Sequence, residues 1–464
     1  MRSWKLSTRV LPLPPSLPAD LIQASPETPN LTAEPSSPPR LLRALSAGDM
    51  LAVGINGVIG AGIFLAPSTV ARMAGAASTL IFIFAGGLVA LVALCVAEAG
   101  SRFDRSGGPF LYARHAFGPH TGFQIAWFTW LARMTALAAL ADGFAKYCAF
   151  LWPGLDTGWR RAILLCLLLG GLTFINAIGV RQGARTVNLL TLVKLVPLLV
   201  FVAAGASFVE AARITPTSLP ALSEFGRATL FLFYVYGGFE VLTFPAEEVV
   251  SPQRSIPRAV LGTQALVIVT YLAVHLVTMG TLPDIAASST PVADAAQGFL
   301  GTFGGVLVTV GAAISIAGCQ SGIMLTTPRL LFAVARDGHL PHVLARVHPR
   351  FHTPFEAVIV QGAVGLALAL VGTFEGMAIL SAIARMVPYL STIFVILVLR
   401  RREGAAPFTV PGGSLVPIVA AGLCIWVLLS GEWAALLLGV ATAAIGSLLY
   451  VWTGRCSARQ SPGA

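Results

Sequence analysis

Twelve stretches of this chain are continuously apolar over the length a bilayer demands, and no other feature constrains its fold so tightly. A bilayer-spanning helix needs about 20 apolar residues. The runs cover approximately residues 47–71, 77–101, 120–150, 161–180, 186–209, 224–247, 257–281, 300–331, 354–373, 376–399, 415–431 and 433–453. Backbone polar groups in lipid must be satisfied internally, which leaves helices or closed barrels. Barrel strands alternate apolar and polar residues. Leu80–Val96 and Ala162–Phe174 show no such alternation. The reading is an all-α polytopic membrane protein. Only 11% of residues are charged, against about 25% in soluble domains. A soluble enzyme, a fibrous protein and a secreted disulfide scaffold are excluded. The six cysteines are scattered, form no CxxC pair, and read as small apolar fillers.

Lys and Arg give the orientation. With the N-terminus inside, 21 of the 30 fall in inside segments, 6 fall outside, and Arg133, Lys194 and Arg385 lie within spans. This bias predicts both termini in the cytoplasm and an even number of spans, in a cell membrane. It also accounts for the net charge of +10 without a nucleic-acid partner. Residues 1–44, rich in Pro and Ser, read as a disordered cytoplasmic tail, and 454–464 as a cytoplasmic C-terminal tail.

Two spans carry helix-breaking sequences at mid-depth. The first contains Gly57-Val58-Ile59-Gly60-Ala61-Gly62, three glycines in six residues. Each costs a helix about 1 kcal/mol relative to Ala. The sixth contains Tyr234-Val235-Tyr236-Gly237-Gly238-Phe239-Glu240. Spans one and six are five apart, an odd number, so two successive five-span units run in opposite directions. Glycine-interrupted spans at matching positions of two halves point to a carrier's binding site. A break exposes carbonyls at the end of one half-helix (Gly57, Val58, Ile59) and amides at the start of the next (Ala61, Gly62, Ile63). The partial charges at those ends are opposite in sign. One break can therefore hold both the ammonium and the carboxylate of an α-amino acid. The candidate substrate contacts are Val58, Ile59, Gly60, Ala61, Gly62, Gly237 and Gly238; the plainer alternative is close helix packing at small residues.

Charges buried in a span are functional candidates by default. Lys194 lies nine residues beyond Arg185, roughly 13 Å along a helix; it either snorkels to the near face or points inward. Glu240 follows the second break and is a candidate for binding a proton, contacting a substrate amine, or holding its helix in place. Lys194 and Glu240 are the candidate proton-coupling residues. Arg133 and Arg385 either meet an anionic group of the substrate or satisfy Glu240 and backbone carbonyls. Asp142 and Lys146 have the spacing of a helical ion pair. Glu98, Arg102, Glu247, Glu248 and Arg336 read as salt bridges at the cytoplasmic ends. No HExxH, GxSxG or phosphate-binding loop occurs, so no metal, cofactor or catalytic group is expected.

At these same residues the chain resembles the amino acid–polyamine–organocation transporter superfamily. Four blocks carry the resemblance: Gly57 to Pro67; Glu98 to Phe103 with Ser106 to Tyr112 and Ala116 to Pro119; Gly237 to Glu240 with Glu247, Glu248 and Pro252 to Pro257; and Arg329 to Pro341 with His348-Pro349 and Thr353-Pro354. The resemblance implies a leucine-transporter-type fold, an inverted repeat of five-helix units over 45–209 and 224–400, with two further helices over 414–453. It implies carriage of amino acids or amines by proton coupling or exchange. It places Tyr234 where members often set an aromatic gate. It makes Lys194 similar to a fifth-helix lysine that stands in for a sodium ion between helices one, five and eight. Pro328 departs from the pattern where a small polar residue is usual, and Arg385 where a small or hydroxylated one is.

The expected function is secondary transport of an amino acid. A polyamine or organic-cation carrier of the same fold is the alternative, as is a transport-like nutrient receptor signalling through the N-terminal tail. A cation carrier would place extra carboxylates near its site. This chain adds Arg133 and Arg385 instead, which favours neutral or acidic amino acids. The expected partners are that substrate, protons and the lipid bilayer.

Overall fold

A computed structural model describes residues 43, 45–179, 184–216 and 218–459. The expected N-terminal tail, apart from Arg43, lies outside them, as do Arg181 and the last five residues. The described residues are overwhelmingly helical and contain no strand; one isolated bridge joins Leu45 to Val249. The helices in order are α1 (Ala47–Val58), α2 (Gly62–Ala74), α3 (Ser78–Arg102), α4 (Pro109–Phe117), α5 (Pro119–Leu151), α6 (Gly158–Ala177), α7 (Ala184–Gly205) and α8 (Ala211–Ile214). After these come α9 (Leu222–Tyr236), α10 (Pro252–Thr281), α11 (Pro291–Arg336), α12 (Phe355–Val371), α13 (Phe374–Glu403), α14 (Leu415–Leu429) and α15 (Trp433–Arg459). Among the described residues, seven helical stretches are long and apolar enough to cross a membrane. Large side chains remain uncovered on their outer faces, among them Leu167, Val269, Phe303, Leu438 and Leu448, as lipid-facing helices require.

Helix ends follow local chemistry. Ser46 caps α1: its hydroxyl accepts from the Asp49 amide, and the Asp49 carboxylate accepts from the Ser46 amide at 3.0 Å, a reciprocal capping box. Proline opens α4, α5, α10 and α11, where its missing N–H has no helical partner to lose. The run expected over 300–331 is longer in the structure. Pro291 starts a helix that turns at Gly301, where φ is 64°.

Buried charges tie the two ends of the bundle. At one end Glu98, fully buried on α3, takes a bidentate pair from Arg400 of α13, the Val410 amide at 2.8 Å, and Arg102 at 3.6 Å. At the other, Asp142 of α5 binds Lys146 at 3.2 Å, as its spacing predicts. It also accepts from Arg161 of α6 at 2.9 Å and from the Phe374 amide at 2.9 Å. Arg161 continues to the carbonyls of Ala369, Leu370 and Gly372. Breaking one side of such a buried pair costs about 3–5 kcal/mol, so these two anchors hold α3 to α13 and join α5, α6, α12 and α13.

Candidate functional site

Both glycine-rich sequences leave the helix inside the bundle. The first stops at Val58 and resumes at Gly62, and the intervening Ile59, Gly60 and Ala61 are buried. The second stops at Tyr236, passes through Gly237 and Gly238, and continues as a 3-10 turn over Phe239–Thr243. The two breaks touch. Gly238 has φ 120°, and a Cβ there would lie 2.5 Å from the Gly57 carbonyl oxygen. Only glycine fits that backbone and that approach.

The polar groups of the first break divide into two sets. Its carbonyls are largely engaged. Val58 O accepts from the Tyr271 hydroxyl at 3.1 Å. Ile59 O accepts from Lys194 Nζ at 3.1 Å and from the Ser315 hydroxyl at 3.0 Å. Gly57 O faces only the weak donor Cys319 Sγ, at 3.6 Å. The Val58 and Ile59 carbonyls, read from sequence as open to a ligand, are thus met by side chains of α10, α7 and α11. The amides stand differently. No side chain caps α2, and the Gly60 and Ala61 amides have no hydrogen-bond partner among the described residues. Uncapped amides at a buried helix start form a preorganised anion site.

Lys194 points inward and is fully buried. Its ammonium also donates to Asn56 O at 3.1 Å, so it sits where the end of α1 meets α7 and α11. Glu240 is fully engaged: Arg385 Nη1 donates to it at 2.8 Å, the Tyr389 hydroxyl at 2.9 Å, and the Gly238 amide at 3.0 Å. Arg385 of α13 therefore pins the second break. Arg133 lies within electrostatic reach of the same Glu240 but makes no direct ion pair among the described residues. Its guanidinium rests 5.3 Å from the Phe244 ring centre, and Nη2 is buried with no hydrogen-bond partner among the described residues.

Tyr234 packs edge-on against Phe374 with centroids 5.9 Å apart. Phe374 and Leu65 form part of a cavity of about 240 Å³, also lined by Ser68, Arg72, Lys146 and Glu375. Phe374 thus lines that polar cavity, and Tyr234 packs against it. Cys319, Ser315, Tyr271, Tyr389 and Leu140 also reach the breaks, and sequence reasoning does not find them. Each is an ordinary residue in an apolar helix, and only the packing of α5, α10, α11 and α13 brings them in. Among the described residues no group of His, Cys, Asp and Glu is arranged to hold a metal.

Known proteins share this sequence throughout its helical part. The profile of the amino acid permease family matches residues 45–453. The methylthioribose transporter of Bacillus subtilis is 31% identical, over 88% of this chain and 93% of its own. The branched-chain amino acid permease BcaP of the same organism is 24% identical over 91% and 95%. The serine/threonine exchanger SteT, again from Bacillus subtilis, is 28% identical over 80% and 86%.

Proposed function

The chain belongs to the amino acid permease family, and we propose that within it this protein is a secondary carrier whose substrate backbone is held between the two broken helices. As a member it is an integral multi-pass membrane transporter and not an enzyme. The observation that carries the proposal is the buried, uncapped start of α2. The Gly60, Ala61 and Gly62 amides receive the substrate carboxylate. The Gly57 carbonyl, beside Gly238, receives the ammonium. Val58 and Ile59 form the wall between them, held by Tyr271, Lys194 and Ser315. Tyr234 covers the site from the side of the polar cavity.

In this reading twelve spans form two inverted five-helix units and a further pair, with both termini in the cytoplasm of a plasma-membrane protein. Lys194 couples transport to protons, and its charge replaces a co-transported metal cation. Glu240, held by Arg385 and Tyr389, keeps the second break in shape. The similarity to a methylthioribose transporter favours one second reading, a neutral thioether sugar as cargo. The free amides argue for a carboxylate-bearing ligand first. Thermal stabilisation of the detergent-purified protein tests this directly, because a ligand that binds the native state raises its stability. Stabilisation by L-amino acids, with methylthioribose inert, is the expected result. Stabilisation by methylthioribose alone would replace amino acids as the cargo.

A further inference from the structure

The charges next to the second break do not balance. Arg133, Arg385 and Glu240 are all buried, and each is less than a tenth exposed. Arg385 and Glu240 satisfy each other at 2.8 Å. Arg133 remains, with a phenyl face at 5.3 Å and an unpartnered Nη2. Arg133 and Arg385 share the one carboxylate of Glu240, and a desolvated cation in excess of its counter-charge is costly. A cation–π contact offsets only part of that cost. The site therefore has the electrostatics of a receptor for one negative charge.

Position narrows what that charge belongs to. Trp130, Arg133, Leu137 and Leu140 form one buried stripe along α5, spaced three, four and three residues apart. Leu140 marks the first break, since a Cβ at Gly60 would lie 2.7 Å from its Cδ2. Arg133 is seven residues along the same stripe, roughly 10 Å at 1.5 Å per residue. Its guanidinium lies within electrostatic reach of Glu240 at the second break and of Cys319 at the first. Trp130 Nε1, one turn further, is likewise buried with no hydrogen-bond partner among the described residues, as is Arg385 Nε. The free groups of Arg133, Trp130 and Arg385 are all donors.

We propose that Arg133 is the specificity-determining residue of the site and binds a carboxylate on the substrate's side chain, making an acidic amino acid the cargo. This rests on the proposed function, in which the breaks hold the substrate backbone and leave its side chain to α5. The bound carboxylate brings the cluster to two cations and two anions.

The test is a thermal-stabilisation titration of the purified full chain with L-glutamate and with L-glutamine, which has the same shape without the charge. L-leucine, L-serine and methylthioribose serve as further probes. Wild type is expected to bind glutamate at least about tenfold more tightly than glutamine, a difference of about 1.4 kcal/mol. Arg133→Gln reverses the ranking, and Arg133→Lys keeps it with a smaller ratio. Glutamine binding as well as glutamate in wild type overturns the proposal, as does an unchanged ratio in Arg133→Gln. Each titration is run in chloride and in gluconate. Glutamine binding tightly in chloride alone assigns Arg133 to a free anion and also overturns it. If Arg133→Gln does not fold, the wild-type ratio and Arg133→Lys decide. If no amino acid stabilises wild type, the proposed function itself fails, a result distinct from amino acids binding without regard to charge.

Discussion

The ammonium of Lys194 stands 3.1 Å from the carbonyl oxygen of Ile59, the first residue beyond the end of α1. A side chain from α7 thereby fixes the carbonyl end of the break, and Ser315 of α11 shares the same acceptor. In the proposed reading the protonated ammonium takes the place of a sodium ion at this junction. Uptake into proteoliposomes is expected to be unchanged when choline replaces sodium. It is expected to respond to an imposed pH gradient, and Lys194→Ala is expected to abolish that response while some ligand binding remains. The variant also strips buried acceptors of a donor, a loss of about 1–3 kcal/mol of stability for each one left unpaired. Strict sodium dependence of wild-type uptake would exclude this role.

Glycine substitutions separate the two breaks. At Gly238 both the positive φ of 120° and the 2.5 Å approach to Gly57 O forbid a Cβ. At Gly60 the obstacles are Leu140 at 2.7 Å and Cys319 at 3.2 Å, both side chains that can move. Gly238→Ala is therefore expected to lower the thermal transition more than Gly60→Ala. Gly60→Val and Gly62→Val, which bring bulk to the amides, are expected to abolish uptake while the protein still inserts. Normal uptake in both valine variants would show that the substrate does not approach these amides.

The breaks are legible in the sequence because local chemistry causes them. Three glycines within Gly57–Gly62, and the Gly237-Gly238 pair before a carboxylate, lower helix propensity locally, although the glycine pairs 86–87, 170–171 and 304–305 stay helical in α3, α6 and α11. The depth of Lys194 is legible for a similar reason, since counting residues from Arg185 places it well inside a span. Tertiary pairings are not. Glu240 and Arg385 are 145 residues apart, and either could have met the other, a ligand or a carbonyl. Asp142 illustrates both cases: its partner Lys146 follows from helical spacing, whereas Arg161 and the Phe374 amide depend on how α6 and α13 pack.

Cys319 offers a chemical probe of the site. Its thiol lies 3.6 Å from Gly57 O and against Gly60. Cys95 and Cys424 are buried elsewhere in the core. A small membrane-permeant thiol reagent is expected to inhibit uptake slowly, and saturating substrate is expected to protect. Cys319→Ala should resist the reagent. Equal modification with and without substrate, read by mass spectrometry of the labelled peptide, would place the ligand elsewhere.

The Arg385–Glu240 pair allows a structural role to be separated from recognition. The pair is buried, and it ties α13 to the backbone of the second break through Tyr389 and the Gly238 amide. Arg385→Gln removes the charge that balances Glu240, and Glu240→Gln does the reverse. Glu240→Gln leaves Arg385 and Arg133 without a carboxylate and is expected to lose about 3–5 kcal/mol, whereas Arg385→Gln leaves Glu240 facing Arg133 and is expected to lose less. That loss appears as a lower thermal transition and poor recovery from the membrane. The double variant Arg385→Gln/Glu240→Gln removes both charges of the pair and returns the excess to the single cation Arg133, as in wild type, so it is expected to regain much of the stability that Glu240→Gln loses. Its coupling energy is read from the four transitions as a double-mutant cycle. If the pair only shapes the break, ligand ranking in the double variant follows wild type even where affinity falls. A reordered ranking would move Arg385 from holding the backbone to reading the substrate.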